Sequence, residues 1–416
     1  MSAKNIVLIG GPGTGKTTQL CKLLLDSVSE QIKSEEVIFL SYNGCTVLKT
    51  AEELKKLGIS CALTTLPSLC AGLIRAFHQA LGFSTPPQLI SGKDRTALHQ
   101  TAAHSVNERM FPTELGYEQE IEKALQQQMR KNNCVGVQDI CGIISHSFHL
   151  TDISNYFSKL KVVAIDDAQE LTYPEWQIIK KWRSLGTVIH LAGDISSSTQ
   201  IDTPSKKLLE EAYTSLTNCF RSKPWICKFF NQLGEFNPIR NPYNINPVLE
   251  SKLTSQIYTI RVDDYHQQLE WIKSQTLNCI QANSSVNVGI LCRNTKECIQ
   301  IADFLHKAGI TVRYLRTRTR METIQPLTER VIITTPWDAK GLEFSAVIVP
   351  TAIEGIWPYY KENHILARHQ FLAAAGRTKS VLFFVVPKLA DNKQTTISRY
   401  IKEGNIPDLV VHDKQG

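Results

Sequence analysis

The chain has no apolar run long enough to cross a bilayer; its longest, such as Val381–Val386, are only a few residues long. A membrane span needs about 20 apolar residues, so no membrane partner is expected. It has no C-x-x-C and no close Cys/His quartet, although 11 cysteines are scattered singly along it. That pattern gives no support to a zinc site or a disulfide framework and suits thiols in a reducing compartment. His146 and His149 could share a helix face, but no further ligands lie near them in sequence. Internal repeats and low-complexity tracts are missing. So is a basic N-terminal region leading into a long apolar stretch and cleavage site, and a cytoplasmic location is expected. Charge of one sign is also scarce: 46 basic against 39 acidic residues leave +7, which permits a polyanionic partner without requiring one.

What remains is a globular composition, 42% hydrophobic and 20% charged over 416 residues, with room for two or three domains. Short β-branched and aliphatic runs alternate with helical patterns, which predicts α/β architecture with parallel sheets covered by helices. Strands are expected at 5–9, 36–41, 61–65, 161–166 and 187–192, then at 256–262, 286–292, 330–335, 345–349 and 381–386. A helix is expected from Thr46 to Leu57, with Leu48, Ala51, Leu54 and Leu57 at helical spacing and Gly58 as its stop. The alternation breaks at Pro86-Pro87, after which residues to about 150 read as helices. Prolines and asparagines mark a second boundary near 221–250. The expected organisation is a first α/β domain over 1–85 and 151–220, a helical insertion over 86–150, a second α/β domain over 221–390, and a polar tail over 391–416.

The strongest chemical signal is Gly10-Gly11-Pro12-Gly13-Thr14-Gly15-Lys16-Thr17, followed by Thr18. It fits G-x-x-x-x-G-K-[ST] between an expected strand and an expected helix, the setting in which that spacing cradles phosphates. Glycines let backbone N–H groups turn around the phosphates, Lys16 reaches the β- and γ-phosphates, and the Thr17 hydroxyl is a Mg²⁺ ligand. Such a loop needs a second carboxylate for the metal. Val162-Val-Ala-Ile-Asp166-Asp167-Ala-Gln169 offers one, because Asp166 ends an apolar strand and projects from its C-terminal edge. ATP and Mg²⁺ are the expected cofactors.

Further segments follow in a telling order. Asp166-Asp167-Ala-Gln169 resembles the D-E-x-Q box of superfamily 1 helicases of the UvrD/Rep type. Ser41-Tyr42-Asn43, Thr65-Leu-Pro-Ser68, Gly193-Asp194, Phe220-Arg221-Ser222, Ala339-Lys-Gly341-Leu-Glu343-Phe344, Glu354-Gly-Ile-Trp357-Pro358 and Ala375-Gly-Arg377-Thr-Lys379 resemble that family's other boxes, in the family's order. The resemblance runs from residue 4 to about 387. It implies two RecA-like P-loop domains with a small helical insertion in the first, and an ATP-driven translocase or helicase on single-stranded DNA, moving 3′ to 5′. Catalytic roles then fall to Lys16, Asp166, Asp167, Gln169, Arg221 and Arg377. The two arginines would stand across a cleft from the loop, Gln169 would sense the γ-phosphate, and Gly341 and Glu343 would hold the nucleotide, Glu343 at its ribose. Tyr42, Asn43, Thr65, Trp337 and Trp357 are the candidate nucleic-acid contacts. For an arginine taken alone, surface pairing is the ordinary role. For an aromatic such as Trp357, it is core packing.

The sequence also departs from the family. Asp167 stands where a glutamate is usual, Ser197 where a glutamine is usual, and Trp337 where a histidine is usual. No glutamine box precedes the loop. Only about 38 residues separate the strands at 286–292 and 330–335, where relatives place a large second insertion. These departures motivate a second expectation: a nucleotide-gated switch with weak ATPase activity that binds DNA or a partner nuclease. RNA is left open as the strand.

Overall fold

The computed structural model describes residues 4–28, 32–42, 44–195, 208, 210–235, 245–248, 256–316, 327–359 and 362–404. Its first sheet contains β1 (Val7–Gly10), β2 (Val37–Ser41), β3 (Ala62–Thr65), β4 (Val162–Ile165), β5 (Val188–Gly193) and β6 (Tyr213–Leu216). Their order is β3-β2-β4-β5-β1-β6, and every pair is parallel. Strands β1, β2 and β4 are buried along their whole length, as apolar strands covered by helices on both faces must be. Successive side chains serve opposite faces. Val37 and Phe39 join the apolar cluster around Leu20 and Leu24, while Ile38 and Leu40 join the one around Trp176 and Trp182.

The second sheet contains β7 (Gln256–Val262), β8 (Val288–Leu291), β9 (Arg313–Tyr314), β10 (Val331–Thr334), β11 (Phe344–Val349) and β12 (Thr378–Pro387). Their order is β7-β12-β11-β8-β10-β9, again all parallel. Leu382, Phe384 and Val386 pack into one core, and Phe383 and Val385 into the other. The fold is therefore α/β with two six-stranded parallel sheets, the arrangement of two RecA-like domains. All ten strands expected from the sequence form. The two further strands, β6 and β9, are edge strands of which β6 is mostly exposed, so neither shows the apolar run that marks a covered strand.

Residues 88–146 form the helices Gly92–Asn107, Tyr117–Lys131 and Ile140–His146. They also form a short parallel pair, Gln88–Ile90 with Cys134–Gly136, that the sequence pattern does not reveal. Val106, Leu125 and Met129 give the first two helices a core of their own, and Arg95 clasps Asp139 through three short hydrogen bonds. Within 391–404, the described part of the expected polar tail, some residues are core. Ile397, Tyr400 and Ile401 are buried in the second core, with the Tyr400 ring 5.2 Å from that of Phe371. Among the described residues no helix is long and apolar enough to cross a membrane.

Candidate nucleotide site

The topology brings three strand ends to one edge of the first sheet. β1 ends at Gly10 and enters the glycine loop, β4 ends at Ile165 just before Asp166, and β5 ends at Gly193 just before Asp194. Ligands of open parallel sheets bind outside such carboxyl ends. The second sheet meets this edge with its opposite, N-terminal end: Glu343 immediately precedes β11 and Arg377 immediately precedes β12. The Phe344 N–H donates to the Arg377 carbonyl at 2.8 Å, so these two functional candidates are fixed side by side by backbone pairing.

Between the sheets lies a cleft of about 420 Å³. Pro12 to Thr18, Asp166, Asp167 and Asp194 line it from the first sheet, Glu343, Arg377 and Lys379 from the second, and Phe220 and Arg221 from the connecting segment. That segment is strapped to the glycine loop. The Phe220 N–H donates to the Gly13 carbonyl at 2.9 Å, and the Cys219 thiol lies 3.4 Å from the Pro12 carbonyl. Gly13 has φ +75°, and a Cβ there would sit 2.8 Å from the Arg221 Cβ; only glycine meets both demands. The loop and Arg221 thus approach as closely as a missing side chain allows.

The loop holds its own lysine: Lys16 Nζ donates to the Gly10 and Gly11 carbonyls at 2.9 and 2.8 Å. Thr17 Oγ1 donates to Asp166 Oδ2 at 2.5 Å. Burial, and then the neighbouring Asp167 charge, push the Asp166 carboxyl up, against the pull of Thr17, Lys16 and the Asp167 N–H. A buried carboxylate raised in this way beside a hydroxyl is an all-oxygen donor set whose cost a hard divalent cation relieves, so Thr17 and Asp166 fit Mg²⁺. Arg377 opposite is also held against its burial. Burial and the adjacent Arg221 charge lower the Arg377 guanidinium, while Asp167, Glu343 and Asp194 support it. A polyphosphate entering between them would satisfy both guanidinium groups.

Residues 1–201 match the family model described as an AAA domain. Among solved structures, the C-terminal domain of a possible DNA helicase from Lactobacillus plantarum WCFS1 is similar at 18% identity, covering 45% of this chain and 94% of its own, with a TM-score of 0.33. Comparison with curated proteins gives no match. The N-terminal half of the chain is thus similar to AAA domains, and its glycine loop, Thr17 and Asp166 lie within the matched span.

Several candidates sit differently from their expected roles. Gln169 is buried behind Asp167: its amide donates to Asp167 Oδ1 at 3.1 Å and accepts from the Asp194 N–H at 2.8 Å. It is therefore placed to hold Asp167, not to touch a phosphate. Asp167 itself has φ 54°, in the left-handed region, a conformation that costs a non-glycine residue energy and recurs at functional sites. Gly341 has φ +81°, and a Cβ there would lie 2.2 Å from the Thr46 methyl. It lets the second sheet's loop approach the first domain closely at Thr46, which itself lines the cleft. The Glu343 carboxylate is engaged by Lys49, by Arg221 at 3.0 Å and by Lys379 at 3.3 Å, not turned to a free sugar site.

The nucleic-acid candidates need larger correction. Trp357 is 0% exposed and packs edge-on against Phe371 with the Arg293 guanidinium over its ring, so no face is open to a base. The Thr65 hydroxyl is buried and caps the helix Leu66–Ala76 by accepting from the Ser68 N–H at 3.2 Å, which removes it as a phosphate contact. Tyr42 is also buried, edge-on to Trp337. Trp337 is 41% exposed and keeps a ring available. Asn43 lies outside the described residues. Three features escaped the motif reading: the Lys49 cation, the exposed Phe220 ring beside Gly15, and a buried ion pair of 2.5 Å between Lys340 and Glu170. Lys340 and Phe220 fall inside quoted boxes and Glu170 directly follows one, but only proximity in space gives them partners. Lys49 has no local signal at all.

Proposed function

We propose that the chain is an ATP hydrolase that drives movement along single-stranded DNA, of the kind UvrD/Rep-type helicases represent, with 3′ to 5′ polarity by the same resemblance. The observation that carries this reading is one cleft lined by the glycine loop, the carboxylates of Asp166 and Asp167 among others, and cations from both halves of the molecule. A motor of this class needs that layout, because closing two domains on a shared triphosphate couples hydrolysis to alternating grip on the strand.

Lys16 and the loop N–H groups bind the β- and γ-phosphates, and Thr17 with Asp166 holds Mg²⁺. Mg²⁺ held by these two residues would supply positive charge to offset that of the phosphates. Asp167, steadied by Gln169, orients the attacking water and accepts its proton. Arg221 and Arg377 stabilise charge developing on the transferred phosphoryl group, a contribution of about 10³–10⁵ in rate for arginines in this position. Trp337 offers one exposed ring on which a base can stack.

Phe220 offers an aromatic surface for the nucleobase. It is 58% exposed, next to Gly15, and borders a second hollow formed by Gln19, Lys22 and the edge segment 215–218. In this reading the nucleobase stacks there. Phe220→Ala is expected to weaken ATP binding by roughly 1–3 kcal/mol, the worth of one base on an aromatic ring. Inorganic tripolyphosphate should bind the variant as before, and calorimetry with both ligands separates the two contributions. Equal losses for both would move Phe220 from the base to the loop.

The deciding assay is phosphate release with and without single-stranded DNA, using duplex DNA and RNA as comparators. Severalfold stimulation by single-stranded DNA is expected. The tie between Asp167 and Gln169, together with the shorter Asp167 side chain, favours a second reading, a nucleotide-gated switch acting with a nuclease. Negligible stimulation, with nucleotide still changing DNA or partner affinity, would select it.

A further inference from the structure

Glu343 stands at the centre of the most concentrated charge in the cleft. One of its carboxylate oxygens takes Lys49 from the first domain and Arg221 from the connecting segment, and the other takes Lys379 from the second. Its backbone is fixed as well, since Asn287 Nδ2 donates to the Glu343 carbonyl at 3.0 Å. Among the described residues, the other hydrogen-bond anchor of the Arg221 side chain is the Gly376 carbonyl at 2.7 Å. Its Nε, buried behind the loop, has no hydrogen-bond partner among the described residues. Burial works against the Glu343 charge, but Arg221 and Lys49 hold the carboxyl well below its ordinary range.

We propose that Glu343 is an internal competitor of the γ-phosphate for Arg221, and so a residue that sets how strongly the cleft prefers a triphosphate over a diphosphate. This rests on the nucleotide-binding reading above and replaces the ribose contact that resemblance assigns to Glu343. A phosphate oxygen and a carboxylate oxygen seek the same guanidinium edge, and both form charge-assisted bonds there. A γ-phosphate that takes the Nη1 edge of Arg221 exchanges for the Glu343 pair. A diphosphate does not reach that far and leaves the pair intact. Three cations converge on a single carboxylate, so the cluster keeps a positive surplus when Arg221 lets go. Glu343 then remains bonded to Lys49 and Lys379, and the exchange moderates affinity without blocking entry.

The test is calorimetric binding of Mg-ATP, Mg-ADP and inorganic tripolyphosphate to the full chain and to Glu343→Gln. ATP and tripolyphosphate are expected to bind the variant about tenfold more tightly, the scale of one charge-assisted contact no longer exchanged, with ADP unchanged. The gain should vanish when Arg221→Ala is added, because competition requires the contested group. Equal tightening of ADP would mean a general field effect of the lost charge and would overturn the proposal. Weaker ATP binding with unchanged tripolyphosphate would restore the ribose contact and overturn it too. Thermal unfolding checks that the variant is folded. If Glu343→Gln is not, Glu343→Asp draws the carboxylate back from Arg221 and should tighten ATP over ADP by a smaller factor; a folded Asp variant with unaltered selectivity overturns the idea. Triphosphate selectivity that responds to Glu343 in a chain unresponsive to DNA would sink the motor reading and leave this one standing.

Discussion

Lys16→Ala is expected to lower nucleotide turnover by at least about 10²–10³, the loss typical when a single positioned donor to a developing charge is removed. The argument starts from where its charge is held. Lys16 Nζ bonds the Gly10 and Gly11 carbonyls at the closed end of the loop, and its charge helps keep the Asp166 carboxyl from rising further. A methyl at this position neither reaches a phosphate nor offsets Asp166, so binding of the metal-nucleotide complex and chemistry suffer together. The fold has no such dependence. Alanine is the best helix former, and Lys16 opens the helix Lys16–Ser27, whose core contacts come from Leu20, Cys21 and Leu24. Steady-state phosphate release, with circular dichroism and thermal unfolding on the same preparation, checks both halves. A folded variant with wild-type turnover would remove the loop from the chemistry.

The largest stability effect is expected at Lys340. Its ammonium lies 2.5 Å from Glu170, and both side chains are almost wholly buried. The same ammonium is 4.7 Å from the centroid of the Tyr42 ring and 4.8 Å from that of Trp337. Glu170 follows the acid segment of the first domain, and Lys340 belongs to the loop that leads into β11 of the second. The pair therefore joins the segment that follows Asp166 and Asp167 to the loop that carries the exposed Trp337. Taking both charges out of water is costly, so the intact pair contributes little net stability. Removing one partner strands the other, at roughly 3–5 kcal/mol. Lys340→Met should therefore shift the urea midpoint by about that equivalent, and Lys340→Met with Glu170→Met should recover a large part of it. A shift below about 1 kcal/mol for the single variant, the range of exposed pairs, would show that the pair is solvated. Tyr42 and Trp337 would lose their cation in either variant. Weaker stimulation by single-stranded DNA in the stable double variant would tie this contact to the strand side of the motor.

Gln169, Thr65 and Trp357 illustrate how motif residues acquire different work from their surroundings. Each belongs to a segment that resembles a helicase box. Yet a buried amide between two acids holds a carboxylate, a hydroxyl at a helix start satisfies an N–H, and an indole beneath a guanidinium fills a core. Backbone and side-chain groups removed from water must find partners within the protein, and the nearest partner is often structural.

By itself the sequence determined the α/β class, ten of the twelve strands of the two sheets, the glycine loop and the acid that follows β4. Those features are local: apolar runs mark strands covered on both faces, and glycine, lysine and threonine at fixed spacing form a loop whose geometry depends on its own backbone. Edge strands β6 and β9 and the buried segment around Tyr400 left no such trace, because partial exposure gives no pattern and a short apolar tail reads the same docked or free. Only the tertiary structure decided that Glu343 is bound by three cations, that Phe220 borders the loop, and that Lys340 pairs with Glu170. Their partners lie in other parts of the chain, and the energy of a charge depends on what surrounds it once water is excluded.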